Sequence, residues 1–207
     1  MKLDHHELIK SKVKILGALD FDQRPEGVSP RRLPDWTRLQ VPLMLETMLR
    51  MPSGVRLAFR TDSKSVELTL LISKLVAKGT SAPVVGLNLE VEGEPLRFVP
   101  TRKGNTVIYS ITDPDDVSIE RGEADVVRFD DLPSGVKNVQ VWLPHNAYVE
   151  LREFKLDPGS ILESSNDPSR HWVHYGSSIS HCMEAEQPAL TWPAVAARAG
   201  GVSLHSL

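Results

Sequence analysis

From residue 54 to residue 156 the chain keeps a period of two. In "VRLAFRT", Val55, Leu57 and Phe59 share one face, with Arg56, Ala58 and Arg60 on the other; in "SVELTLLI", Val66, Leu68 and Leu70 point the same way. Successive side chains of a strand point to opposite faces, so this alternation marks strands with one buried side. Residues 62–65 between these two runs fit a hairpin turn. Further strands are expected at 84–91, 96–99, 106–111, 126–129, 136–143 and 149–156, with Gly93, Gly104, Pro114 and Gly135 between them. Pro144 and Asn146 separate the last two, and a one-residue slip of the apolar pattern between Leu151 and Phe154 predicts a bulge. Many short strands, regular turns and few helices predict a mostly β fold, an antiparallel β-sandwich of jelly-roll kind.

The pattern differs on either side of this block. "GALDFDQRPEGVSPRRLP" is rich in proline and glycine and is expected to be loop with one short strand at most. "VPLMLETML", bracketed by Pro42 and Pro52, suits either a helical turn or two or an extended lead-in. Residues 157–169 carry a second cluster of Pro, Gly and Ser, including the Asp-Pro steps at Asp157 and Asp167, and 158–169 reads as a linker. The expected organisation is a β-sandwich domain over 1–157, the linker, and the start of an α/β domain over 170–207. In that last part "HWVHYG" reads as a strand and "SSISHCMEAEQP" opens with helix-capable residues. "TWPAVAARAGG" reads as a helix capped by Thr191, with Pro193 in its first turn and Gly200 and Gly201 at its end, and "VSLHSL" as a second strand. Strand, helix, strand is the opening of a parallel sheet. Two such strands cannot bury both faces alone, so they must dock on the sandwich, stay poorly ordered, or be completed by a partner, a homo-oligomer included.

Composition narrows the classes. With 207 residues, 41% hydrophobic, 25% charged and a net charge of −3, the chain suits a globular protein and offers no general attraction for nucleic acid. No apolar run reaches the roughly 18–20 residues that span a membrane. The start, "MKLDHHELIK", lacks the uninterrupted apolar core of a signal peptide, and Cys182 is the sole cysteine; a cytoplasmic location is expected.

The chemistry concentrates in "WVHYGSSISH". A serine just past a strand, at the opening of a helix, can present its hydroxyl beside backbone N–H groups that no helical bond uses. Those groups can hold the oxyanion that forms when a carbonyl is attacked. Ser178 is the candidate nucleophile. Its own N–H can join the oxyanion hole, and Gly176 lets the chain turn tightly. A base must take the hydroxyl proton, and a histidine oriented by a carboxylate is the usual one.

This segment resembles the first block of the SGNH, or GDSL-type, hydrolases, in which a strand is followed by Gly-Asp-Ser and an aliphatic residue. Gly176, Ser178 and Ile179 match that pattern, and Ser177 stands where the family has Asp, a residue outside its triad. "RLP" from Arg32, "MPSGVRLAFRT" from Met51, "WLPHNAYVEL" from Trp142 and "TWPAVAARAG" from Thr191 resemble the subgroup that carries an N-terminal β-sandwich. The resemblance implies a flavodoxin-like α/β hydrolase domain, an acyl-enzyme on Ser178, no cofactor, and a late Asp-x-x-His supplying acid and base. No residue here matches that Asp-x-x-His or the family's further oxyanion donors. The expectation is a chain that ends early in the catalytic domain and is inactive alone.

Other residues have competing readings. Ser177 suits a structural hydrogen bond, and His181, one helical turn past Ser178, can border a pocket. His145 and Asn146 lie in a loop able to reach a neighbouring site. His171 and His174, three apart on a strand, point to opposite faces, and with His181 and Cys182 they make a poor ligand set, so no metal is expected. Cys182 reads as a small buried side chain, Arg31 and Arg32 as surface-loop residues, and Trp142 and Tyr148 as core, sugar-binding or interface aromatics. Three functions compete: an esterase acting on a small-molecule or carbohydrate ester, an acyltransferase using the same serine, and a non-catalytic carbohydrate-binding or interaction module.

Overall fold

The computed structural model describes residues 1–113, 115–166 and 170–207. Pro114 and the second Asp-Pro step, Asp167-Pro168, lie outside the described residues. The N-terminal segment forms β1 (Lys2–Asp4), α1 (His5–Leu8), β2 (Lys14–Leu16), β3 (Asp20–Gln23), β4 (Val28–Arg31), a 3-10 turn (Asp35–Thr37) and α2 (Leu43–Leu49). The period-two block follows as β5 (Arg56–Thr61), β6 (Val66–Ala77), β7 (Gly86–Val91), β8 (Arg97–Pro100), β9 (Asn105–Tyr109), β10 (Val117–Glu120), β11 (Asp125–Phe129), β12 (Lys137–Trp142), β13 (Ala147–Leu156) and β14 (Glu163–Ser164). The last part comprises β15 (His171–His174), α3 (Ser178–His181), a 3-10 turn (Pro188–Leu190), α4 (Trp192–Gly200) and β16 (Ser203–Ser206).

Among the described residues the strands make three sheets. One runs β10-β9-β6-β13-β4-β3, with β1 on β13 and β11 on β6. A second runs β14-β5-β12-β7-β8, with β2 on β5. The third is the parallel pair β15-β16. The first two face each other, and the apolar half of each alternation fills the space between them. Val66, Leu68, Leu70 and Ile72 of β6 meet Leu57 and Phe59 of β5 in one core, where the Phe59 and Phe154 rings sit edge to face at 5.0 Å. Burial at about 25 cal/mol per Å² of apolar surface makes this interior the main source of the sandwich's stability. The bulge is where the pattern slips: β13 shifts register against β6 between Leu151 and Glu153.

Four expectations change. Residues 62–65 do not close a hairpin, because β5 and β6 belong to different sheets and the connection crosses from one to the other. It is held by the Asp157 carboxylate, which accepts from the backbone of Lys64 at 2.8 Å and of Ser65 at 3.1 Å and from the Ser65 hydroxyl. Two strands facing across a core show the same alternation as two strands paired edge to edge, so local pattern does not distinguish them. The Pro-rich N-terminal stretch holds two strands, β3 and β4, not one at most. Pro30 is tolerated in β4 because β4 meets its other neighbour, β13, only at Val28. The sheets are also not wholly antiparallel, since β6 and β9 run parallel from Ser73↔Asn105 to Ala77↔Tyr109. Within the segment expected as linker, β14 pairs with β5.

The apolar run at 43–49 resolves as the helix α2, which sets Glu46 against Arg31 of β4, and Arg50 just past its end lies 3.5 Å from Asp22 of β3. No helix among the described residues is long and apolar enough to cross a membrane.

Candidate active site at the serine turn

β15 leads straight into the turn. Ser177 takes the N-cap position of α3, with an extended backbone, and its hydroxyl accepts from the Ile179 N–H at 3.4 Å. Ser178 is the first residue of α3, and it is exposed. Among the described residues neither its hydroxyl nor its backbone N–H has a hydrogen-bond partner. The expected helix is a single turn: the Cys182 N–H donates to the Ser178 carbonyl at 3.1 Å, and Cys182 ends the turn in the left-handed conformation at φ 57. One turn carries little macrodipole, so the site offers individual N–H groups rather than a helix-end field.

Gly176 is required by space. A Cβ built there would lie 2.0 Å from the Ser180 hydroxyl and 2.9 Å from His174 Nε2, two atoms themselves joined at 2.8 Å. Gly176→Ala is therefore expected to cost about 1–3 kcal/mol through overpacking. The loss would be read as a lower urea midpoint together with a displaced His174 ring resonance; an unchanged midpoint would contradict it.

Around the turn the other predicted residues are spoken for. The His174 ring lies against Trp192, centroids 4.9 Å apart, and Trp192 Nε1 donates to the Ile179 carbonyl at 3.2 Å, so the start of α4 is tied to α3. Thr191 sits at the N-cap of α4, but its hydroxyl donates back to the Pro188 carbonyl at 3.2 Å rather than capping the helix. Gly201 ends α4 in the left-handed conformation. His181 is buried and turned toward the sandwich: Arg32 Nη2 meets its Nδ1 at 3.1 Å, and its Nε2 meets the His145 carbonyl at 2.7 Å. Burial, helped by the Arg32 charge, pushes its pKa down to about 4. His145 is buried too, with its pKa lowered to about 4 by desolvation, and Asn146 donates to the Val84 carbonyl at 3.0 Å. His171 is exposed and His174 half-buried, alternating along β15. Cys182, expected to be buried, is partly exposed, because the left-handed turn brings its Sγ round to donate to the Ile179 carbonyl at 2.9 Å.

The residues that hold this turn on the sandwich were not read as such from sequence. Arg31 and Arg32, expected on a surface loop, are both buried. Arg31 pairs with Glu46 of α2. Arg32 Nη1 donates to the Ser206 carbonyl at 3.3 Å and its Nη2 to the Met48 carbonyl at 2.9 Å, and its own carbonyl accepts from His205 Nε2 at 3.0 Å. Arg56, on the supposed solvent face of β5, donates to the Leu204 carbonyl and the Ser203 hydroxyl, each at 3.1 Å, and lies 4.8 Å over the Trp142 ring. Trp142 is an interface aromatic, packed with Ala189, Ala194, Ala197 and Leu204 apart from the sandwich core. Gly54, at φ +78, allows β16 to come close: its Cβ would lie 3.2 Å from both Leu204 and Ser206. The sequence carried a signal for Arg56 alone, which stands inside a stretch of strand period; Arg31 and Arg32 stand in the stretch expected as loop.

The arrangement is a two-sheet β-sandwich carrying a two-stranded parallel sheet, β15-β16, with an exposed serine at the turn after β15. Solved esterase and acyltransferase structures share this fold over about half of their length. Over its whole length the chain superposes on the salicylyl-acyltransferase SsfX3 from a tetracycline biosynthetic pathway, with 29% identity and a TM-score of 0.80, covering 53% of that protein. It also superposes on a candidate GDSL-like lipase from Bacteroides ovatus, with 16% identity, a TM-score of 0.68 and 56% of that chain covered. A family two carbohydrate esterase from Cellvibrio japonicus gives 10% identity, a TM-score of 0.59 and 51% coverage. The last two likenesses are of fold alone, and the chain spans about half the length of each structure. No protein-family model and no curated protein matches the chain.

Proposed function

We propose that this chain supplies the β-sandwich and the nucleophile turn of a serine esterase of SGNH/GDSL type acting on a small-molecule or carbohydrate ester. The observation that carries the reading is the exposed Ser178, whose hydroxyl and N–H are both unengaged among the described residues. In the reaction Ser178 Oγ bonds to the acyl carbon while a base takes its proton. The Ser178 N–H donates to the oxygen that becomes negative. Collapse expels the alcohol, which recovers the proton, and leaves an acyl-enzyme that water cleaves. The nearby histidines are committed elsewhere, His174 to Ser180 and His181 to Arg32 and His145, so this reading gives the role of base to neither of them. Val173, Tyr175 and Ile179 leave apolar surface exposed beside the serine, which favours further protein covering this side.

The names of the similar structures, a salicylyl-acyltransferase and a carbohydrate esterase, support an acyl-enzyme on this scaffold. The first favours a second reading, in which an alcohol rather than water takes the acyl group. The test is p-nitrophenyl acetate hydrolysis. The 207-residue chain is expected to turn over no faster than buffer. A chain extended to include the base is expected to be active and to lose several orders of magnitude in kcat on Ser178→Ala. Activity that survives Ser178→Ala would end this reading.

A further inference from the structure

We infer that Arg32 is a positioning residue for the serine turn, holding α3 on the sandwich by fixing one neutral tautomer of His181. The inference takes its meaning from the proposed role of Ser178, but its test does not depend on catalysis.

The hydrogen-bond roles leave no freedom. A guanidinium only donates, so His181 Nδ1, 3.1 Å from Arg32 Nη2, accepts and carries no proton. A carbonyl only accepts, so His181 Nε2, 2.7 Å from the His145 oxygen, donates and carries the proton. Protonating Nδ1 would set an N–H against a buried cation and break the bond. Arg32 is itself held on three sides, by the Ser206 carbonyl of β16, the Met48 carbonyl of α2 and the His181 ring. No carboxylate pairs with it among the described residues. The charged and titratable groups facing this junction are Arg32 after β4, His145 between β12 and β13, His205 on β16 and Arg56 on β5. All are basic, so no charged group there stabilises an imidazolium; the His145 carbonyl alone favours it, and burial with the Arg32 charge outweighs that bond. The Ser53 hydroxyl donates to the His181 carbonyl at 3.1 Å and fixes the backbone as well. His181 and Ser178 occupy opposite ends of one helical turn, so whatever seats the imidazole sets where the serine hydroxyl points. Burial lowers the pKa of Arg32 to about 10, which leaves it charged at neutral pH and able to keep this role.

The experiment is long-range ¹⁵N–¹H correlation on the histidine rings of the 207-residue chain, with hydrogen exchange at 178–182. In the wild type at pH 7 His181 is expected to show a protonated Nε2 and a bare Nδ1, and to keep them down to about pH 5. Arg32→Met is expected to raise the titration midpoint of His181 and to speed exchange at 178–182 by about tenfold or more while β6 and β13 stay protected. His181→Gln, whose amide offers one acceptor and one donor, is expected to keep the turn protected; His181→Phe, which fills the space without either, is expected to release it. A wild-type ring protonated at Nδ1 would overturn the inference. So would an Arg32→Met chain with unchanged His181 titration midpoint and exchange, or equal protection in the Gln and Phe variants. If Arg32→Met fails to fold, the wild-type tautomer and the two His181 variants decide.

Discussion

Trp142→Ala is expected to lower the stability of the chain by about 3–5 kcal/mol and to release residues 170–207 from the sandwich. The indole is 2% exposed, donates to Glu90 at 2.7 Å, and lies under the Arg56 guanidinium. Truncation removes the largest side chain of a cluster whose other buried members are three alanines and Leu204. Small side chains cannot close such a gap, and the cation loses its ring as well. Because this cluster is separate from the sandwich core, the loss should be local. Hydrogen exchange would show β16 losing protection while β6 and β13 keep most of theirs, and urea denaturation would give the magnitude. Equal loss across β6, β13 and β16 would show one cooperative core and contradict the prediction. Trp142→Phe, which keeps a ring but drops the Glu90 bond, is expected to cost about 1 kcal/mol.

Acidification is the second large effect. His145 and His181 have folded pKa values near 4, and that of His205 is also lowered, each first of all by burial. Above about pH 6.5 these groups are neutral both folded and unfolded, and stability is full. Below that the unfolded chain takes up protons that the folded chain refuses. Stability then falls by roughly 1.4 kcal/mol per pH unit for each fully titrating histidine, until the folded pKa is reached. The loss therefore belongs between about pH 6.5 and 4. Carboxylates whose pKa is depressed by partners, such as Glu67 beside Lys155 and Asp157 beside Ser65, contribute lower down, as pH falls through the ordinary carboxylate range. Urea midpoints across the range would measure the slope, and His181→Gln should remove about one histidine's share. A flat midpoint from pH 6.5 to 4.5 would mean that these rings protonate in place.

The strands between residues 54 and 156 were legible because a sheet buried on one face writes its period into the chain. The bulge after Leu151 was legible for the same reason, as a break in that period. The serine turn was legible as Gly176-Ser177-Ser178 after a strand. β3 and β4 were hidden behind Pro25, Pro30 and Pro34, which suit edges and loops equally. Arg32 and Arg56 were hidden because a charged residue's burial depends on acceptors brought from Met48, Ser203, Leu204 and Ser206, far away along the chain.

By itself, then, the sequence determined most strands of the block from 54 to 156, where their apolar faces lie and where a serine could meet free amides, because these follow from neighbours two to four residues apart. Tertiary structure decided which strands pair and which face one another across the core, that two arginines are buried at a junction, and that His181 looks into the sandwich and away from Ser178. Those outcomes rest on contacts between segments distant along the chain, more than a hundred residues apart for the arginines and His181, where the cost of burying a guanidinium or an imidazole is met only when partners from another element arrive to accept or donate.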